Sequence, residues 1–177
     1  MGTLENVPYT YNLFRMAIYN KNLDENKGEN TMKRITPFLW FETQAEEAMN
    51  YYVSIFKNSK VISSSPYSVQ FELDGQEFMG LNAGPEFKFN EAVSFYIHCE
   101  DQKEVDYYWN KLIADGGEEG RCGWCKDKFG LSWQVVPKQL GELMGDPDQV
   151  KAKRVVDAML KMNKMIVADL QKAYNGG

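Results

Sequence analysis

Histidine is nearly missing from this chain: among its 177 residues there is one, His98. A metal site built from several imidazoles is therefore excluded, and any acid–base role for imidazole falls on that residue. Cysteine is scarce too, with Cys99, Cys122 and Cys125 the three present. Cys122 and Cys125 have the C-x-x-C spacing, but no second pair completes a four-sulfur zinc site. Strand alternation puts those two on opposite faces, which speaks against a redox couple. Without a paired disulfide framework the protein is expected to be cytoplasmic and reduced. No apolar run approaches the ~20 residues that span a bilayer, and Glu5 and Arg15 interrupt an N-terminus that has no small-residue cleavage site. No membrane partner is expected. Positive charge is not in excess either. The formal net charge is -5, opposite to the basic footprint of a nucleic-acid protein. Lys151, Lys153 and Arg154 cluster, but Asp146, Asp148 and Asp157 surround them, as on a solvated helix face.

What the chain does have is apolar and aromatic mass. Hydrophobic residues make up 44%, with ten Phe, ten Tyr and four Trp, enough to build one ordinary domain or two small fused modules. It also repeats itself. Phe41-Glu42-Thr43-Gln44-Ala45-Glu46 ends an apolar run and opens a helical pattern; Cys99-Glu100-Asp101-Gln102-Lys103-Glu104 does the same. At one offset Glu42 matches Glu100, Gln44 matches Gln102, Glu46 matches Glu104 and Tyr51 matches Trp109. Two copies of one unit imply a fold whose centre, and whose natural site, lies between them.

Residues 1–31 differ from the rest. Val7 to Tyr19 is mildly apolar and Asn20 to Thr31 almost wholly polar, so the segment reads as an appended arm with a linker, or as a short helix docking on the domain or on a partner subunit. Residues 32–139 carry the two units, 32–86 and 91–139. In the first, Ile35 to Phe41 is a strand, and Thr43 caps a helix with Glu46 completing a capping box. Val61 to Ser64 and Ser68 to Leu73 are strands, and Asp74-Gly75 turns into a further strand from Gln76 to Leu81. Asn82-Ala83-Gly84-Pro85 is a turn, with Asn82 a turn residue. In the second unit, Ala92 to Cys99, a helix to Ala114, Arg121 to Lys126 and Leu131 to Val136 follow the same order. Residues 140–177 form a C-terminal amphipathic helix starting at Asp146-Pro147, with Val150, Val155, Ala158, Met159, Met162, Met165, Ile166 and Leu170 on its apolar face.

Paired β-α-β-β-β units resemble the vicinal oxygen chelate superfamily of glyoxalases, extradiol dioxygenases and bleomycin-resistance proteins. The particular stretches are similar to its PhnB-like branch, which carries the label 3-demethylubiquinone-9 3-methyltransferase. They are Pro37-Phe38-Leu39-Trp40-Phe41, Ala45-Glu46-Glu47-Ala48, Tyr51-Tyr52, Phe71-Glu72-Leu73-Asp74-Gly75-Gln76, Phe87-Lys88-Phe89-Asn90 and Asp127-Lys128-Phe129-Gly130-Leu131-Ser132-Trp133-Gln134. One departure is the link between Val61 and Val69, shorter than the family's usual loop. The resemblance implies an α+β fold in which the paired units form a curved mixed sheet around a cavity, and it implies a homodimer. Laid on the superfamily's pattern, the metal-ligand positions fall near Thr36 or Pro37, near Met79 to Asn82, at Ser94 and at Gln134. No carboxylate or imidazole stands there, so no metal and no cofactor is expected. No glycine-rich strand-to-helix turn supports the methyltransferase label.

Alternation assigns the cavity wall. If Ser94 faces the cavity, so do Tyr96 and His98, while Val93, Phe95, Ile97 and Cys99 face the helices. The repeat puts Thr36, Phe38 and Trp40 on the matching face of the first strand, and Gln134 shares its face with Ser132 and Val136. Phe38, Trp40, Ser94, Tyr96 and Gln134 are thus the candidate ligand-binding residues. The wall suits a small, partly aromatic molecule. Three readings stay open. The chain is a metal-independent binding protein; or an enzyme with His98 as general base and Gln134 or Ser94 as positioners; or an interaction protein whose C-terminal helix and N-terminal arm make a dimer. His98 also reads as a structural or surface residue, Trp40 and Trp133 as core fillers, and Gln134 as a cross-strand hydrogen-bonder.

Overall fold

The alternation of Ser68-Val69-Gln70-Phe71-Glu72-Leu73 becomes a strand that buries Val69, Phe71 and Leu73 and leaves the residues between them half-exposed. It lies in a computed structural model whose described residues are 35–177; the arm and linker expected over residues 1–31 fall outside them. The first unit runs β1 (Phe38–Phe41), α1 (Ala45–Ile55), β2 (Lys60–Ser64), β3 (Ser68–Leu73) and β4 (Gln76–Asn82). The second runs β5 (Phe95–Cys99), α2 (Gln102–Leu112), β6 (Glu118–Glu119), β7 (Trp124–Lys126) and β8 (Ser132–Pro137). Each makes a four-stranded sheet, ordered β1-β4-β3-β2 and β5-β8-β7-β6. In both, the first and last strands of the unit pair in parallel and the other pairs are antiparallel. The fold is α+β, two βαβββ units of one topology, followed by further helices.

Local chemistry explains the corners. Asp74 and Gly75 both have positive φ, 47° and 78°, the backbone a two-residue hairpin needs. The short link after β2 is closed by Ser65 N–H donating to the Ser68 carbonyl at 2.9 Å. The second sheet departs from expectation: β5 starts at Phe95 rather than Ala92, so Ser94 stands just before it and Val93 is exposed rather than turned to a helix.

The helix starts differ between the copies. Thr43 was the expected cap of α1, but Gln44 occupies that position without a side-chain cap bond. The Ala45 N–H is instead capped at 2.8 Å by Asn82 Oδ1, from the end of β4. Asn82 is therefore more than a turn residue. In α2 the cap is local: Asp101 Oδ1 accepts from Glu104 N–H, and Glu104 Oε2 reaches back to accept from the N–H of Glu100, one residue before the cap. The helix register shifts accordingly. Ala48, Tyr52 and Ile55 are buried on α1, and Val105, Trp109 and Leu112 on α2, so Trp109 corresponds to Tyr52 and not to Tyr51.

The two helices meet. Tyr51 Oη donates to the Lys111 carbonyl at 2.8 Å, and Tyr107 Oη donates to the Ile55 carbonyl at 3.0 Å. Each helix thus satisfies a carbonyl at the end of the other. Tyr52 packs on both Phe71 and Trp133, and Phe78 on Phe95, so one core runs through both units.

The C-terminal region is three helices, not one: α3 (Lys138–Met144), α4 (Gln149–Met159) and α5 (Val167–Asn175). The chain breaks helix after Met159 because the Met162 and Asn163 carbonyls accept from Cys122 and Gly123 N–H, both at 2.8 Å. Met165 is nonetheless fully buried, reached from a turn rather than from a helix face. Val150, expected on the apolar face, is exposed.

Candidate functional site

Strand alternation gives each sheet a helix-facing side and an open side. On β1, Leu39 and Phe41 are buried, Phe38 is exposed and Trp40 half-buried. On β5, Ile97 and Cys99 are buried while Tyr96 and His98 are exposed. Phe38 is paired with Met79, and Tyr96 with Gln134. The repeat thus places Phe38, Trp40, Tyr96, His98 and Gln134 on the open sides of their sheets. Phe38 at 47% and Tyr96 at 48% exposure are large aromatics left to water, one on the open side of each sheet.

The polar groups on this side are partly committed. Gln134 Nε2 donates to Ser94 Oγ at 2.9 Å, joining the two predicted positioners. Tyr96 and His98 rings lie 4.7 Å apart, and burial raises the Tyr96 phenol. The Trp40 indole N–H donates to the Gly84 carbonyl at 2.8 Å, and its ring meets Phe87 edge-on at 4.9 Å. The crossover loop therefore locks Trp40 and leaves its ring, not its N–H, for a ligand. Trp40 alone of the predicted residues lines a cleft of about 350 Å³, together with Phe87, Phe89, Lys126 and Phe129.

Beneath this surface lies a residue that sequence reading treated as part of a turn. Asp127 is buried, with 2% exposure. Its Oδ1 accepts from Phe129 N–H at 2.9 Å and Leu131 N–H at 3.1 Å; its Oδ2 accepts from Tyr52 Oη and Trp133 Nε1, both at 2.8 Å. Burial pushes its carboxyl above the ordinary range, against those four donors. Since Tyr52 belongs to α1 and Trp133 to β8, Asp127 ties one unit to the other. The signal was the run Asp127 to Trp133, three donors and a tight turn around one acid. Cys99 and Cys125 are buried, and desolvation pushes both thiols up to about 12, so they are unreactive thiols.

The superfamily's metal positions can be tested on their donors. Met79 and Gln134 occupy corresponding places beside Phe38 and Tyr96, and Gln134 is engaged with Ser94. A thioether, an amide and a hydroxyl are a poor set for a divalent ion that prefers imidazole and carboxylate. Among the described residues no three His, Cys, Asp or Glu side chains gather as a metal site, and no helix is long and apolar enough to cross a membrane.

Two βαβββ units with mixed four-stranded sheets give this protein a glyoxalase-like fold. Residues 33–136 match the family described as 3-demethylubiquinone-9 3-methyltransferase, and the chain belongs to that PhnB-like family. A PhnB protein from Bacillus cereus is 35% identical, with a TM-score of 0.55, over 59% of this chain and 99% of that one. A Staphylococcus aureus protein is 31% identical over 58% of this chain and 93% of its own, at a TM-score of 0.27. A glyoxalase-related enzyme from Fulvimarina pelagi is 12% identical over 61% of this chain and 91% of its own, at a TM-score of 0.45. No curated protein matches.

Proposed function

We propose that this protein binds a small, partly aromatic molecule on the open side of its paired sheets without a metal, acting as a cytoplasmic homodimer. The observation that carries the reading is the surface itself: Phe38 and Tyr96 stand exposed on strands whose alternate residues are buried. Ser94 and Gln134 add hydrogen-bonding capacity beside Tyr96. Such a combination of rings and a few polar groups is what a small-molecule site offers. The donor set argues for binding without a metal. A second copy would cover exposed Val61 and Ile62 on the edge strand β2.

The enzymatic alternative rests on His98, which lies on the same side as Tyr96. A general base is ordinarily oriented by a partner, and among the described residues His98 shows the Tyr96 ring contact but no hydrogen bond or ion pair. This favours the binding reading. Methyl transfer is disfavoured as well. The turns from β1 to α1 and from β5 to α2 contain no glycine, whereas a doubly wound methyltransferase needs a glycine-rich turn for its cofactor.

The test is a thermal-shift series with indole, 2-phenylethanol and 4-hydroxybenzoate. At least one should raise the melting temperature, and the Phe38→Ala/Tyr96→Ala double variant should lose the shift while keeping its own fold. No shift with any aromatic probe removes the reading. Sedimentation showing a monomer at micromolar concentration removes the dimer, elemental analysis finding stoichiometric metal removes metal independence, and an activity lost in His98→Ala restores the enzyme.

A further inference from the structure

Burial decides where the lysines at the end of β7 point. Cys125 and Asp127 are buried, so alternation turns their neighbours Lys126 and Lys128 outward. Both line the cleft that holds Trp40, and Lys88 of the crossover loop joins them there. This concentration of positive charge runs against the domain as a whole, since residues 35–137 carry eight Lys and Arg against sixteen Asp and Glu. Three of those eight cations meet in one cleft, where the carboxylates are Glu42 and Glu118, both exposed.

The three ammonium groups differ in what they hold. Lys128 Nζ lies 2.6 Å from Glu47 Oε1 on α1 and 5.1 Å from the centre of the Phe129 ring, so it is committed. Lys126 Nζ lies 2.5 Å from Glu91 Oε1, and the Glu91 carboxylate is exposed while the Lys126 side chain is half-buried. Glu91 thus occupies, from the solvent side, a place that the carboxylate of a ligand can take. Among the described residues Lys88 makes no ion pair or side-chain hydrogen bond. Rings stand beside these groups. Phe87 meets Trp40 edge-on at 4.9 Å and is itself exposed, and Phe89 rests on Phe41 at 5.4 Å. Flat apolar walls with ammonium groups next to them suit a planar aromatic anion.

We propose that this cleft binds an aromatic carboxylate, with the ring system against Trp40 and Phe87 and the carboxylate on Lys126 and Lys88 in place of Glu91. The inference goes beyond the binding reading above, whose Phe38 and Tyr96 do not line this cleft.

Isothermal titration with three probes of one ring system tests it: 2-naphthoate, neutral 2-naphthylmethanol and cationic 2-naphthylmethylammonium. The anion should bind about tenfold tighter than the alcohol, the scale of one hydrogen bond to a charged group, and the cation weakest. Lys126→Gln should cost the anion about that factor and leave the alcohol unchanged, and Lys88→Gln should weaken the anion too. Lys111→Gln removes the same formal charge from outside the cleft and should change nothing. Glu91→Gln removes the competing carboxylate and should tighten the anion about threefold, the scale of one exposed ion pair. The inference is overturned if the anion binds no better than the alcohol, if Lys111→Gln weakens it as much as Lys126→Gln, or if Glu91→Gln fails to tighten it. Loss of the anion in Phe38→Ala/Tyr96→Ala but not in Lys126→Gln overturns it as well, and then favours the binding reading. Absence of naphthoate binding takes down the cleft alone, because that reading is tested separately by neutral probes.

Discussion

At the scale of single residues, Asp127 is where the two units depend on one carboxylate. Asp127→Ala should cost about 3 kcal/mol in urea denaturation, because the Tyr52 hydroxyl, the Trp133 indole N–H and two backbone N–H groups are left without their acceptor. Tyr52→Phe removes one donor and should cost about 1 kcal/mol. If the two variants are equally mild, the acid is not the tie that its bonds suggest. Reading Asp127-Lys128-Phe129-Gly130 as a turn was correct as far as it went: Gly130 has φ 84° and its N–H donates to the Asp127 carbonyl. Burial of the acid was illegible, since its Tyr52 partner is 75 positions away. His98, Tyr96 and Phe38 were legible because alternation is local.

At the scale of elements, the joint between α2 and the second sheet is set by a close approach. A Cβ on Gly117 would lie 2.3 Å from the Leu112 carbonyl oxygen, 2.6 Å from Ile113 Cα and 2.8 Å from the Lys126 carbonyl oxygen. All are backbone atoms, so nothing yields cheaply. Gly117→Ala should cost about 2 kcal/mol, read as a lower denaturation midpoint. The C-terminal helices dock through polar latches as well as apolar contacts. Gln102 acts as a peptide-like clamp, donating to the Met165 carbonyl and accepting from Val167 N–H. Lys164 pairs with Asp106 at 2.6 Å, and the Tyr174 hydroxyl donates to Asp146 at 2.6 Å. Lys164 and then Gln102 hold the Asp106 carboxyl below its ordinary value. The Tyr174 hydroxyl and then the Asp148 N–H do the same for Asp146. Both folded-state pKa values are depressed, so this stabilisation is complete above the ordinary carboxylate range and is lost as pH falls through it to the lower folded values. Protection factors across α4 and α5, taken against the intrinsic exchange rate at each pH, should fall below about pH 4 before those of the sheets; protection factors unchanged between pH 3 and 6 contradict the latches.

At the scale of the whole molecule, the C-terminal helices lie beyond the family-matched residues 33–136, yet Leu140, Val155, Met165 and Leu170 belong to the common core. Ending the chain at Pro137 should destabilise it by on the order of 5 kcal/mol, seen as a collapse of the melting temperature or as insolubility; a truncated chain that melts like the full one refutes this. What the sequence determined by itself was the twofold βαβββ order, because each unit is written in short-range signals: an alternating strand, a capped helix, an Asp-Gly turn. The same alternation determined which side of β1 and β5 is open. Tertiary structure decided the rest. Helix register moved Trp109 into correspondence with Tyr52, since packing across the α1–α2 contact outranks matching letters. The one expected C-terminal helix became three, and α4 stops at Met159 since backbone bonds from Cys122 and Gly123 took the carbonyls that a continuous helix would have used. An acid in a turn became the bond between the two units. Periodicity reports the environment of neighbouring residues, but a partner distant along the chain is chosen only when the units close on each other.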